Sequence, residues 1–329
     1  MPSTVPSLSR HPTLPVDRGT ARPDHIFIVG LGRTGSTLTR TILNCSDEIG
    51  IGGESHFFRD LPRLGLHARR GFRQQLARIG DIATDAGAQR VVDYIFSINQ
   101  RHLNFWNFRK KNIDRDAFLS ALLSTDRSER ALFDLSMAIH AGGKPIRGEK
   151  TPAHIFYVPT LLEWFPNAKV IHTFRDPRAI YISSRKKAEK KTYSAINSAL
   201  RKLGRLFELY ASLQVIIPWL HVIRLHRRYQ ERYPDRYYLS RYEDLIRDPA
   251  GALQQLCDFL GIDFTERMLE QTVINSSYVA GGQIKGFDTA AVDRWREQLH
   301  PLINDWFVFW CRDRLLEFGY RPSASDKQD

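Results

Sequence analysis

The stretch Ile26-Phe27-Ile28-Val29-Gly30-Leu31-Gly32-Arg33-Thr34-Gly35-Ser36-Thr37 decides the fold of this chain. Its apolar start predicts a short, buried parallel strand, and the residues that follow it, 38–43, predict the first turns of a helix. A glycine-rich turn between a strand and a helix presents unpaired backbone N–H groups to an anion, with the helix dipole behind them. The sequence therefore predicts a phosphate-binding loop.

Two known nucleotide-binding patterns fit this loop incompletely. Gly30 and Gly35 have the spacing of a Walker A loop, but Ser36 replaces the lysine that would reach the terminal phosphates. The loop also matches a dinucleotide fingerprint, but Arg33 stands where the cofactor should pack closely against the backbone. We interpret it as a phosphate cradle that carries its own cation. The alternative is a tight strand–helix turn without a ligand.

A second strand-to-helix junction carries a cluster of positive charge. Residues 168–174 predict a strand of the sheet, and Pro177 suits the first turn of a helix, where its missing N–H leaves no bond unmade. The anion-binding candidates at this junction are Arg175, Arg178, Ser183, Arg185, Lys186 and Lys187. We interpret the junction as a second anion site, and a solvated basic helix is the alternative.

The composition narrows the classes of protein that fit. A chain of 329 residues with 42% hydrophobic residues supports one large α/β core better than two equal domains. Cys45, Cys257 and Cys311 have no metal-binding spacing and predict small core residues in a reducing compartment. The net charge of +12 favours anionic partners, which include a nucleotide, an acidic acceptor, a nucleic acid and an anionic membrane surface. No run approaches the roughly 18 apolar residues of a membrane-spanning helix, so we expect no membrane span.

Together the two junctions resemble the nucleotide signatures of sulfotransferases that use 3′-phosphoadenosine 5′-phosphosulfate (PAPS). The resemblance implies that the first loop holds the 5′-phosphosulfate and that the second junction holds the 3′-phosphate. The cofactor-binding residues that it implies are Arg33, Thr34, Gly35, Ser36, Thr37, Arg175, Ser183, Arg185, Tyr242, Ser276 and Lys285. Their spacing is nearest to that of tyrosylprotein sulfotransferases and related bacterial enzymes.

The same resemblance implies two catalytic residues. Glu54 stands twenty-one positions after Arg33, where tyrosylprotein sulfotransferases carry their general base, and Lys150 lies in a segment that contacts the bridging oxygen. His56 is the alternative base. A carboxylate enclosed by a lid is expected to have a raised pKa. The alternatives are a capping or ion-pairing role for Glu54 and a solvated turn for Lys150.

Further landmarks extend the resemblance over residues 25–322. They are Tyr242-Glu243-Asp244-Leu245 with Asp248-Pro249, the segment 256–261, and Gly319-Tyr320. Of the family's Arg-Lys-Gly flap signature, only Lys285-Gly286 is present. The rest of this part of the chain predicts long helices over 193–232 interrupted at Pro218, a strand over 237–240, a helix over 251–261 closed by Gly261, and a flexible loop over 275–288.

The predicted fold class is α/β, with a P-loop-like central parallel sheet flanked by helices. We expect a flexible tail over residues 1–24, a single sulfotransferase domain over 25–322 and a flexible tail over 323–329. Within the domain, residues 57–145 are expected to form a helical lid on the acceptor side. The first 24 residues lack the apolar segment of a secretion signal.

The sequence therefore predicts a bacterial, cytoplasmic sulfotransferase without a metal, which moves a sulfuryl group in line from PAPS to a hydroxyl of tyrosine, carbohydrate or lipid. The sulfuryl group carries less negative charge than a γ-phosphate, so a magnesium site is not required. A P-loop kinase or NTPase and a non-catalytic nucleotide- or polyanion-binding protein are the alternatives. No nucleic acid partner is expected, and a homodimer is left open.

Overall fold

The computed structural model describes residues 22–58, 71–98, 101–189, 204–270, 272–274 and 283–322. A five-stranded sheet forms its centre, in the order β2-β3-β1-β4-β5, and all four strand pairs are parallel. The strands are β1 His25–Gly30, β2 Ile49–Gly52, β3 Ile146–Lys150, β4 Lys169–Phe174 and β5 Tyr237–Arg241. A separate antiparallel pair joins β6 Thr272–Ile274 to β7 Gln283–Lys285.

Twelve helices accompany the strands in the described part of the chain. They are α1 Ser36–Leu43, α2 Phe72–Ile79, α3 Asp85–Ser97, α4 Arg115–Leu123, α5 Glu129–Ala141, α6 Val158–Trp164, α7 Pro177–Glu189, α8 Arg205–Arg232, α9 Tyr242–Arg247, α10 Pro249–Leu260, α11 Arg294–Gln298 and α12 Pro301–Glu317. Short 3₁₀ turns cover Arg101–Trp106, Arg109–Lys111, Pro152–Tyr157, Glu266–Met268 and Thr289–Ala291.

Helices cover both faces of the sheet, which is why β1 and β4 are buried along their whole length. Alternate residues of β1 point to opposite faces. Phe27 and Val29 join a cluster with α2 to α6, whereas Ile26 and Ile28 join one with α1, α9 and α10. A third cluster around Phe174 packs α7, α8, α11 and α12 together. The predicted fold class is confirmed.

The register brings the carboxyl ends of three strands to one edge. Gly30 pairs with Thr173, and Phe174 pairs with Arg241. The phosphate-binding loop, the basic junction after β4 and the Tyr242 segment after β5 therefore all leave the sheet at the same edge. Ligands of open α/β sheets bind at this edge.

Some of the predicted helix starts and ends agree with the structure, and others do not. Pro177 begins α7, and Gly261 closes α10 with a left-handed φ of 70°. In the described parts of residues 57–145, the regular elements are α2 to α5 and two 3₁₀ turns. The predicted interruption at Pro218 is wrong, because α8 continues through it. Gln283–Lys285 forms a strand, not the predicted loop.

Among the described helices, α8 alone is long and apolar enough to cross a membrane by length and composition, with a mean hydropathy of 1.5 over 18 residues. The expectation that no run approaches this length and hydropathy is therefore wrong for α8. Its inner face packs into the core through Trp219, Ile223 and Tyr229. Helices in the core of a folded domain can have the same length and hydropathy, so these two properties do not assign α8 to a membrane.

Candidate functional site

The loop after β1 is built to expose backbone N–H groups. Gly35 has φ 91° and precedes α1, and no side chain caps the helix. A Cβ atom at Gly35 would lie 2.6 Å from Cδ2 of Tyr242, so both the backbone angle and the space require glycine. Arg33 also has a positive φ of 74°, a strained conformation that is common at functional sites. The uncapped first turn of α1 is thus a site for an anion.

The two predicted nucleotide motifs meet in the folded chain. Arg33 Nε donates a hydrogen bond of 2.9 Å to Ser183 Oγ, across 150 positions of sequence. Arg175 Nη1 donates to the carbonyl oxygen of Arg33 at 3.3 Å. The loop after β1, the end of β4 and the buried side of α7 therefore form one continuous site.

Arg175 is a buried guanidinium with neutral hydrogen-bond acceptors. Nη2 donates to the carbonyl of Ala291 at 2.8 Å, and the guanidinium lies 3.9 Å from the ring centroid of Tyr242. Its Nε is buried and has no hydrogen-bond partner among the residues that the structure describes. Tyr242 therefore packs against both the loop glycine and this cation. An anion at this place would find an unused donor.

For three of the predicted cofactor residues, the described part of the structure gives no contact with Arg33, Arg175 or Ser183. Arg185 pairs with Glu208 on α8 at 2.5 Å, because it lies two positions from Ser183 and so faces another side of α7. Ser276 lies outside the described residues. Lys285 is described only by its backbone, which pairs with Thr272 in the β6–β7 hairpin.

Glu54, Lys150 and His56 form a cluster beside the loop. Lys150 Nζ lies 2.5 Å from one carboxylate oxygen of Glu54, and His56 Nε2 lies 3.3 Å from the other. Lys150 is buried, so it is not a solvated turn residue. Burial alone raises the pKa of Glu54, but the hydrogen bond from His56 and the charge of Lys150 outweigh burial and hold this pKa well below its ordinary value. The expected upward shift is therefore wrong in this state of the protein.

A buried network that the sequence did not reveal holds this cluster in place. The Glu149 carboxylate accepts hydrogen bonds from Ser55 Oγ at 3.1 Å and from Thr151 Oγ1, and it contacts His154 Nδ1 at 2.6 Å. The Ser55 N–H donates to Thr151 at 2.9 Å. These partners lower the pKa of Glu149 although its complete burial acts to raise it. Ser55, which follows Glu54, is thus hydrogen-bonded to both neighbours of Lys150 in the chain.

A second buried network fixes the end of β4. Asp176 pairs with the fully buried Arg178 at 2.8 Å, and Arg178 also donates to the carbonyl of Arg321 near the end of the described chain. Glu243 accepts from the Asp176 N–H at 3.0 Å and from the Tyr320 hydroxyl at 2.9 Å. The sequence contains these residues beside the recognised motifs, but only the fold pairs them.

Two further cations, Arg40 and Lys111, lie near Gly52 and Gly53, the residues that precede Glu54. A Cβ atom at Gly53 would lie 3.4 Å from Nη1 of Arg40, and the charge of Glu54 acts on Arg40. Lys111 donates to the carbonyl of Phe105 at 2.9 Å and contacts His140. Burial lowers the pKa of Lys111 to about 8. Arg40 therefore adds positive charge near Glu54.

The family comparison agrees with this geometry. A family model described as "Sulfotransferase family" matches residues 23–266. This match covers most of the chain, which therefore belongs to the sulfotransferase family. The resemblance stated from the two nucleotide motifs is confirmed.

Individual relatives differ in what their names say they act on. The chain is 36% identical to the omega-hydroxy-beta-dihydromenaquinone-9 sulfotransferase Stf3 of Mycobacterium bovis over 118 residues, which cover 34% of this chain and 28% of that protein. It is 22% identical to a protein-tyrosine sulfotransferase of Drosophila melanogaster, over 85% of this chain and 45% of that protein. The chain thus spans less than half the length of these two curated relatives.

Among solved structures, the sulfotransferase domain from the curacin biosynthetic pathway has a TM-score of 0.52. The match covers 92% of this chain and 99% of that domain at 19% identity. At this identity the likeness shows a shared fold.

Proposed function

We propose that this protein transfers a sulfuryl group from PAPS to a hydroxyl acceptor. The observation that carries the proposal is the contact of Arg33 with Ser183, which unites the two nucleotide motifs beside Lys150 and Glu54. Membership of the sulfotransferase family supports the reaction class. The donor, the acceptor and the roles of the residues are our inference.

The residues present suit a doubly phosphorylated nucleotide. The uncapped turn at Thr34, Gly35, Ser36 and Thr37, with Arg33, suits the 5′-phosphosulfate. Arg175 offers an unused buried Nε, and Ser183 offers a hydroxyl, to the 3′-phosphate. Roles for Arg185, Tyr242, Ser276 and Lys285 in holding the nucleotide remain predictions.

Glu54 is proposed to accept the proton of the acceptor hydroxyl. Lys150 is proposed to stabilise the negative charge that develops on the bridging oxygen of the leaving phosphate. One ammonium group cannot fully neutralise both Glu54 and that phosphate. When Lys150 turns to the donor, the pKa of Glu54 rises, and Glu54 becomes a stronger base at the stage when it is needed.

The acceptor class stays open among tyrosine, carbohydrate and lipid hydroxyls. The relatives named above act on a lipid quinone and on protein tyrosine by their names. A cytoplasmic location also remains a prediction, which the three free cysteines support. Among the described residues, no group of three His, Cys, Asp or Glu side chains could hold a metal ion.

A labelling experiment tests the proposal. Purified protein is incubated with sulfate-labelled PAPS and an extract of its source organism, and the labelled product is identified. We expect a labelled hydroxyl compound with the wild type and a large loss of label with Lys150→Met. ATP turnover that requires magnesium, with no transfer from PAPS, would instead favour the kinase alternative.

A further inference from the structure

The described part of the chain exposes seven large hydrophobic side chains, and all of them lie on α8 and α12. Phe309 is 74% exposed and Leu206 is 68% exposed. The full set, here called the apolar surface, is Leu206, Tyr210, Ile217, Leu302, Phe309, Trp310 and Leu316. Scattered single exposed hydrophobic residues are ordinary, but a gathering on two helices marks an interaction site.

The two helices lie side by side and run in the same direction. Arg205 at the start of α8 contacts His300 just before α12 at 2.5 Å. Arg227 near the end of α8 pairs with Glu317 at the end of α12 at 2.7 Å. On α8, Leu206, Tyr210 and Ile217 are four and seven positions apart. On α12, Leu302, Phe309 and Leu316 are each seven positions apart, so each helix carries one apolar stripe.

The stripe on α12 is additional to the face that packs into the core. Ile303, Phe307, Cys311 and Leu315 already bury the inner face of this helix. On the outer side, the rings of Trp306, Phe309 and Trp310 contact one another, with centroids 5.4 to 6.0 Å apart. Trp306 packs partly against the core, but core packing does not account for the exposed Phe309 and Trp310.

The charges near the apolar surface are mainly positive. The described end of α7 carries Arg185, Lys186 and Lys187 together with Glu189, and α8 carries five arginines against two glutamates. α12 carries Arg312 and Arg314 against Asp305, Asp313 and Glu317, so basic residues outnumber acidic ones across these segments taken together.

We propose that the apolar surface docks this protein onto an anionic lipid bilayer, with α8 and α12 lying in the interface. Tryptophan, tyrosine and leucine beside lysine and arginine are the composition of interfacial membrane anchors. Anionic headgroups attract a chain of net charge +12, whereas two such chains repel each other. A lipid surface therefore suits this face better than a second copy does. The inference does not depend on the proposed enzymatic reaction.

Vesicle sedimentation tests the proposal with the full chain. Wild-type protein is mixed with vesicles of phosphatidylcholine and phosphatidylglycerol, or of phosphatidylcholine alone. We expect binding to the anionic vesicles, and a loss of about tenfold or more in affinity in the double variant Phe309→Ser with Trp310→Ser. Gln89→Ser, an exposed and charge-neutral change on α3, is the matched control and should bind as the wild type does. Because the changed side chains are exposed, both variants should keep the wild-type melting temperature.

Three results would overturn the proposal. The first is no wild-type binding to anionic vesicles. The second is equal binding by the wild type and the double variant, which would mean that charge alone holds the protein on the membrane. The third is a wild-type dimer that the double variant breaks in gel filtration, without vesicle binding, which would assign the apolar surface to a second copy.

Discussion

At the residue scale, Glu54 shows how neighbours set the chemistry of one carboxylate. Its spacing from Arg33 points to a base, but Lys150 and His56 hold its pKa low in this structure. A carboxylate with a low pKa is always ionised near neutral pH but is a weak base. The strength of Glu54 as a proposed base therefore depends on where the Lys150 ammonium group lies.

The variant Glu54→Gln separates proton transfer from nucleotide binding. Glutamine keeps the size and the hydrogen bonding of Glu54 but cannot take a proton. We expect turnover to fall by about 10²- to 10⁴-fold, with an unchanged Kd for adenosine 3′,5′-bisphosphate. Steady-state transfer from labelled PAPS and calorimetric titration measure the two quantities. His56→Gln is the control and should lose less activity. Near-normal turnover in Glu54→Gln would assign the base to another residue.

Glu149 offers a prediction about stability, because its buried carboxylate is hydrogen-bonded by three residues. Glu149→Gln should cost about 1–3 kcal/mol of unfolding free energy near neutral pH, since the charge-assisted bonds to Ser55, Thr151 and His154 are weakened.

The pH dependence of this loss follows from the direction of the pKa shift. The pKa of Glu149 is lower in the folded state, so its carboxylate stabilises the fold fully above the unfolded value of about 4.3 and loses that effect as pH falls below it. The difference between wild type and Glu149→Gln should shrink over that acidic range in urea denaturation. An exposed control, Glu163→Gln, should show no such trend. A difference that stays constant with pH would contradict the assignment.

The sequence can suggest which residues belong to a site, but it does not show which of them contact each other in the fold. Arg33, Ser183, Glu54 and Lys150 follow local motifs, so the sequence could offer them as candidates. The bond between Ser55 and Glu149 spans 94 positions, and no local pattern encodes it. Helix geometry places Arg185 and Ser183 on different sides of α7, and only packing decides that Arg185 meets Glu208 of α8.

At the element scale, the loop between β1 and α1 is the best predicted part of the fold, and its glycines differ in a way that can be tested. Gly35 has φ 91° and lies against Tyr242, whereas a Cβ atom at Gly32 would meet nothing within 4 Å. The sequence gives both residues the same letter. Only the backbone shows that one of them is constrained.

We therefore expect Gly35→Ala and Gly32→Ala to behave differently. Gly35→Ala should lower the unfolding free energy by about 1–3 kcal/mol, because it adds strain at a positive φ and a clash with Tyr242. It should also weaken binding of adenosine 3′,5′-bisphosphate. Gly32→Ala should change stability by less than about 1 kcal/mol. Thermal denaturation and nucleotide titration of both variants provide the comparison, and equal losses would contradict this account of the loop.

Longer elements were predicted less well because tertiary packing overrides local signals. Pro218 breaks an isolated helix, yet α8 continues through it with Ile216 and Trp219 fully buried on either side. Burial of these side chains offsets the lost backbone hydrogen bond. Because α8 continues through Pro218, it is long enough and apolar enough to match a membrane-spanning helix. The predicted break at Pro218 hid this length in the sequence.

At the scale of the whole molecule, parallel pairing explains why distant motifs form one site. The carboxyl ends of β1, β4 and β5 lie at one edge, so segments near positions 33, 175 and 242 meet although they are far apart in sequence. The buried Arg178 also ties this edge to the carbonyl of Arg321 at the far end of the described chain. Binding at this edge should therefore stabilise the entire fold.

Nucleotide binding should reveal this coupling as a rise in melting temperature. A ligand that binds only the folded state stabilises it by about 2.7 kcal/mol at a hundredfold excess over Kd. Adenosine 3′,5′-bisphosphate should raise the melting temperature more than adenosine 5′-phosphate, because only the former reaches Arg175 and Ser183 with a 3′-phosphate. Ser183→Ala should reduce the difference between the two nucleotides. Ser184→Ala changes the next position on α7, which lies about 100° further around the helix, and should preserve it. Equal shifts from both nucleotides in the wild type, or a larger shift from NAD, would remove the 3′-phosphate from this junction.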